Sequence, residues 1–158
     1  MIVTKVSEII FFSRKNIPWK SVAEYLKRYQ GTSYTVEEYD DRIIFNMTSV
    51  DEYTSSTYTR RLKGTLAKAK ANIVQILPEL IRTATNRRWI ENNDEKHKNN
   101  ASKGWYRYDT YFELPIQAED DENIHWNRYR ETMIVRVNDR GLFFYDIINI
   151  KKEVSNPR

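Results

Sequence analysis

Trp105-Tyr106-Arg107-Tyr108-Asp109-Thr110-Tyr111-Phe112 is the stretch on which the reading of the fold turns. Side chains alternate across a strand, so Trp105, Arg107, Asp109 and Tyr111 fall on one face and Tyr106, Tyr108, Thr110 and Phe112 on the other. The second set is aromatic enough to cover a helix. The first mixes arginine with aromatics, which suits a nucleic-acid surface. An ordinary half-wet strand with an Arg107–Asp109 pair reads the same way. The strand signal runs on to Ile116 and returns over Arg130–Asn138 and Leu142–Ile150. Asn138-Asp139-Arg140-Gly141 is a short turn ending in glycine and predicts a hairpin between the last two strands. The acidic segment Glu119 to Asn127 links the first two.

Upstream the period changes from two to about three and a half. Tyr58, Leu62, Leu66, Ala69, Ile73, Ile76 and Leu77 form one apolar helical stripe, and Arg60, Arg61, Lys63, Lys68 and Lys70 populate the rest of its surface. Pro78 marks a bend, after which Leu80, Ile81 and Ala84 continue an apolar face to about Asn86. Nearer the start, Val22, Tyr25, Leu26 and Tyr29 predict a helix opening near Pro18 and stopping at Gly31. Tyr34–Tyr39 and Arg42–Met47 predict two strands joined at Asp40-Asp41. Ile2–Phe12, rich in β-branched residues, suits a strand. Asp51–Thr59 carries no decisive period, and the polar run Asn92–Lys103 suits a loop or short helix.

Composition excludes several chemistries. There is no cysteine among the 158 residues, so thiolate zinc sites, disulfides and cysteine nucleophiles are ruled out. With only His97 and His125, a histidine-rich metal site is disfavoured. No glycine-rich phosphate loop, G-x-S-x-G elbow, H-E-x-x-H pair or spaced acidic set for magnesium is present, so neither metal nor cofactor is expected. Net charge is +4, which permits a polyanionic partner without demanding one. Met1 to Phe12 lacks a basic leader, and Lys5, Ser7 and Glu8 interrupt its apolar run. The expectation is therefore no signal peptide, no membrane span and a cytoplasmic location.

Function must then come from a looser constellation. His97, between Lys96 and Lys98, is suited to move a proton near neutral pH beside a phosphate, though a solvated loop histidine has the same sequence. Arg136 interrupts the apolar run Met133-Ile134-Val135-Arg136-Val137. Guanidinium can hold a phosphate bidentately, or it can pair with Asp109 or Asp146 across strands. Tyr145, in Phe143-Phe144-Tyr145-Asp146, and Lys151 are candidates for a second proton donor or phosphate clamp. They fit equally an apolar strand ending in solvated charge. Trp105, Tyr111, Arg60 and Arg61 are candidate nucleic-acid contacts. His125 reads as an exposed loop residue.

An ordered set of these residues resembles a known group. It runs Leu77-Pro78-Glu79-Leu80-Ile81, Ala84-Thr85-Asn86, Lys96-His97-Lys98, Gly104-Trp105, Tyr108-Asp109, Phe112 and Pro115. It continues with Thr132, Val135-Arg136-Val137, Gly141-Leu142, Tyr145-Asp146-Ile147 and Ile150-Lys151-Lys152-Glu153. This looks like the phage-associated barnase–EndoU–colicin–RelE-like nucleases and the related domain of large polyvalent proteins of mobile elements. The likeness covers roughly the C-terminal half. It implies an α+β fold, with helices packed on a mainly antiparallel four-stranded sheet over residues 51–153. Residues 1–50 would be a strand, helix and hairpin extension, and 154–158 a tail. It also implies metal-independent RNA cleavage through a 2′,3′-cyclic phosphate. His97 would be the general acid or base, Arg107 and Arg136 the phosphate holders, and Tyr145 or Lys151 the second group. RNA is the expected partner. The competing expectation is an inactive nuclease-fold protein that binds a host nucleoprotein or defence complex.

Overall fold

The computed structural model describes residues 1–92, 103–116 and 125–153. Seven strands form one sheet: β1 (Thr4–Lys5), β2 (Thr32–Val36), β3 (Asp41–Phe45), β4 (Thr85–Ile90), β5 (Gly104–Ile116), β6 (His125–Asn138) and β7 (Gly141–Lys152). Five short helices accompany them among the described residues: α1 (Trp19–Leu26), α2 (Met47–Ser55), α3 (Thr57–Arg61), α4 (Gly64–Asn72) and α5 (Leu77–Arg82). The strand order is β1-β5-β6-β7-β3-β2, with β4 also paired to β5, and the sheet curls into a half-barrel.

This overturns the expected four-stranded, mainly antiparallel sheet. β1 joins β5 in parallel and β3 joins β7 in parallel, so the sheet is mixed. The extra strands have two sources. Residues 1–50 supply β1, β2 and β3, and Val6, Val22, Leu26, Val36, Ile43 and Phe45 enter the same core as the later strands. Thr85–Ile90, of which only the start to about Asn86 was expected to continue a helical face, pairs antiparallel with β5. Parallel pairing and edge pairing are long-range events with no local period, which is why neither showed in the sequence.

Long strands with clean alternation form where alternation was read. Tyr108, Thr110, Phe112 and Leu114 are buried while Arg107, Asp109, Tyr111 and Glu113 stay half-exposed. The inner face packs on Leu26, Val50, Tyr53, Ile73, Val74, Leu77 and Leu80 from the helical layer. The stripe from Tyr58 to Leu77 is not one helix. Leu62 and Lys63 are extended, Gly64 takes φ +67°, and Ile73–Ile76 is a 3-10 turn. Ser56 opens α3 by accepting the Thr59 amide at 3.1 Å. Lys70, expected on the wet side of that helix, is wholly buried.

Side chains satisfy the backbone where strands stop. Asn72 accepts the Ile10 and Phe11 amides at 2.8 and 3.1 Å and donates to the Phe11 carbonyl at 2.9 Å. The apolar run Ile2–Phe12 therefore needs only two residues of ladder. Past the end of β3, Asn46 and Ser49 form a reciprocal cap on α2, and Ser49 Oγ also donates to the Phe144 carbonyl at 2.6 Å. That bond fixes α2 on β7. Gly104 is required where it stands, because a Cβ there would lie 2.7 Å from the Ile90 carbonyl oxygen and from the Trp89 ring.

Candidate functional site

One irregularity in β7 decides what each sheet face carries. Ile134 pairs with Asp146 and Val135 with Phe144, so Tyr145 is an extra residue inserted at a register shift in β7. Such bulges re-aim side chains. Here Phe144 enters the core, Tyr145 meets Trp105 edge-on with ring centroids 4.8 Å apart, and Asp146 turns to Lys70.

On the outer face, Trp105, Arg136 and Phe143 lie in register across β5, β6 and β7. The Arg136 guanidinium sits 4.8 Å above the Phe143 ring. It is 6% exposed, makes no ion pair among the described residues, and its Nε has no hydrogen-bond partner. Burial pulls the guanidinium down from its ordinary value, opposed by the nearby Tyr145 and Glu52. Burial, reinforced by the adjoining Glu52 carboxylate, pushes the Tyr145 hydroxyl up, so this tyrosine stays protonated and acts as a donor. Arg107 shares this face two residues along β5 from Trp105.

The inner face holds charge differently. Lys70 Nζ meets Asp146 Oδ1 at 2.6 Å and Thr59 Oγ1 at 2.5 Å, and the Lys70 and Asp146 side chains are 0% and 2% exposed. The Ile147 amide holds the same Asp146 oxygen at 2.8 Å, and the Tyr53 hydroxyl donates to the Lys70 carbonyl at 2.5 Å. Burial pushes Lys70 down and Asp146 up, while each partner's charge pulls back. Glu131 lies within electrostatic reach of this pair, buried, with neither carboxylate oxygen hydrogen-bonded. Burial pushes it up to about 8 against the pull of Lys70. Thr110, opposite Glu131 in register, also has an unsatisfied hydroxyl.

A third cluster braces β4. Arg87 clamps Asp41 through both carboxylate oxygens at 2.9 Å, and its guanidinium lies 4.5 Å from the Tyr39 ring and 4.6 Å from the Tyr106 ring. Tyr108 donates to Asp41 at 2.6 Å.

Of the residues singled out from sequence, Trp105, Arg136 and Tyr145 come together, with Arg107 beside them. Tyr111 and Lys151 do not. They share a row farther along the sheet, opposite Arg130, and Lys151 is six residues or about 20 Å beyond Tyr145. Arg60 and Arg61 sit on α3, off the sheet. His125 opens β6 opposite Ile116 and is exposed. Lys96, His97 and Lys98 lie outside the described residues. Asp109 pairs with Arg88 at 3.1 Å rather than with Arg107 or Arg136. Glu52, Phe143, Lys70 and Glu131 went unread in the sequence as site residues. Only the bulge brings Glu52 to Tyr145, and no local pattern announces a bulge.

A cleft of about 630 Å³ opens elsewhere, lined by Glu8, Phe12, Arg14, Lys68, Leu114 and Tyr129 among others. None of the expected site residues lines it. Among the described residues no three His, Cys, Asp or Glu side chains are grouped to hold a metal ion, and no helix is long and apolar enough to cross a membrane.

The architecture is thus a curled mixed sheet with helices packed on its inner face and a cation–aromatic group on β5, β6 and β7 that Glu52 of α2 reaches. Large polyvalent protein-associated domain 3 matches residues 13–145, and the chain belongs to that family. The match begins in the first fifty residues, well before the C-terminal half on which the nuclease likeness rested. No curated protein and no solved structure matches the chain.

Proposed function

We propose that this protein binds RNA on the outer face of β5, β6 and β7 and cleaves it there without a metal, by attack of a ribose 2′-oxygen on the neighbouring phosphorus. The observation that carries the reading is the meeting of Trp105, Arg136 and Tyr145 with the Glu52 carboxylate at the β7 bulge. A base stacks on Trp105, and Arg107 and Arg136 draw the phosphate. Glu52 accepts the 2′-OH proton. As the 2′-oxygen bonds to phosphorus, the P–O5′ bond breaks, and the 5′-oxygen takes a proton from His97 or Tyr145. Arg136 offsets the charge that grows on the non-bridging oxygens.

Purified protein incubated with RNA in EDTA should yield 2′,3′-cyclic ends, and Glu52→Gln should lower the rate at least ~10²-fold while RNA affinity is kept. Undiminished cleavage by that variant refutes Glu52 as the base. The burial of Arg136 favours a second reading, binding without cleavage. Intact RNA with measurable affinity would select it.

A further inference from the structure

The outer face carries a second aromatic–cation group. Tyr111 pairs with Arg130 and Arg130 with Lys151, so the three form one row across β5, β6 and β7. Arg130 and Lys151 are exposed and Tyr111 is half-exposed. Neither cation forms an ion pair among the described residues, in contrast to their neighbours. Arg128 meets Glu113 at 3.7 Å and Arg88 meets Asp109 at 3.1 Å. Asn86 donates to the other oxygen of Asp109 at 2.8 Å. The carboxylates of the β5 outer face are thus each neutralised by a neighbour, and Arg107, Arg130 and Lys151 keep their charge.

Resting on the RNA reading above, we propose that Tyr111, Arg130 and Lys151 form a second subsite for the same single strand. The binding site is then a track along β5 rather than one pocket. A base stacks on Tyr111, and phosphates are met by Arg130 and Lys151. Trp105 and Tyr111 are six residues apart on β5, about 20 Å, which suits the footprint of ~4 or more nucleotides seen for single-strand platforms. The strand must be unpaired, because stacking on both aromatics needs free base faces and a duplex hides them.

The test is fluorescence anisotropy of the full chain with 2′-O-methyluridine oligonucleotides of three, six and twelve nucleotides, which lack the attacking 2′-OH, at two salt concentrations. Affinity should rise between the trimer and the longer oligomers. Tyr111→Ala, and separately Arg130→Ala with Lys151→Ala, should weaken the twelve-mer ~10-fold or more and leave the trimer unchanged. The double cation variant should also flatten the salt slope by about 0.7 per cation removed. Equal losses on trimer and twelve-mer, or no loss on either, overturn the second subsite while Trp105-dependent binding still stands. A wild-type chain that binds none of the three overturns the track and the RNA reading together.

Discussion

The two faces of the same three strands carry charge on opposite terms. Inside, Lys70 and Asp146 are sealed from water and held at 2.6 Å, with further bonds from Thr59 and Ile147. Outside, the Arg136 guanidinium lies over Phe143 near Trp105 and Tyr145, with Arg107 farther along β5, and neither arginine forms an ion pair among the described residues. A buried charge that has found its partner holds strands and helices in place. A cation set against an aromatic ring, with Glu52 near it but no ion pair formed among the described residues, is held by that ring and by the field of the carboxylate. The difference separates the two faces more sharply than residue type does, since both use Lys or Arg, acids and tyrosines.

The contrast breaks most visibly at Lys70. Lys70→Met leaves Asp146 buried without its cation, and should cost about 3–5 kcal/mol in urea unfolding. The double variant Lys70→Met, Asp146→Leu should regain most of that loss. RNA affinity of the folded fraction should stay unchanged. A coupled loss of affinity in the double variant would show that the inner pair serves binding after all.

Glu131 gives the next effect, on pH dependence. The unfolded carboxyl releases its proton near 4.5, whereas the folded one keeps it to about 8. Between these values the folded state binds the extra proton, so stability falls as pH rises, by up to ~1.4 kcal/mol per unit. The contribution of Glu131 is whole below about 4.5 and is lost through about 8. Asp146, also raised, adds a fall in the same direction on the acid side. Lys70, pushed down, works the other way at alkaline pH. Glu131→Gln should remove the fall between 4.5 and 8, read as a flatter plot of urea midpoint against pH. An unaltered plot would mean Glu131 is charged when folded.

The smallest effect tests the outer face alone. Trp105→Ala should weaken single-stranded RNA binding by about 1–3 kcal/mol, roughly tenfold or more, through the lost stacking. The urea midpoint should move far less than for Lys70→Met. A change in stability with no change in affinity would make Trp105 a packing residue only.

Much of this was legible because it is local. Two-residue alternation through Trp105–Phe112 placed Tyr108 and Phe112 inward and Arg107 and Tyr111 outward, as they are. The turn Asn138–Gly141 ends β6 and starts β7. The stripe of Val22, Leu26 and Tyr29 did form a helix with a following turn, cut short at Gly31. What stayed hidden depends on partners far along the chain. Lys70 sits among lysines on an amphipathic helix, and nothing nearby says that Asp146, 76 residues on, will draw it inside. Thr85–Ile90 is a strand because β5 lies beside it, while its own composition also suits the end of a helix. Trp105, Arg136 and Tyr145 were each nameable, but their meeting rests on strand register and on one extra residue.

That extra residue, Tyr145, is an insertion whose removal can be followed pair by pair along β7. Deleting it would bring β6 and β7 into one register from Arg136–Phe143 to Thr132–Ile148, with the second register shift, between Arg130 and Thr132, left in place. It would also remove the ring that meets Trp105 edge-on and the hydroxyl beside Glu52, while Asp146 and Ile147 kept their partners Ile134 and Met133. One codon therefore separates the outer aromatic contact from the inner Lys70–Asp146 pair, which the remaining ladder still positions.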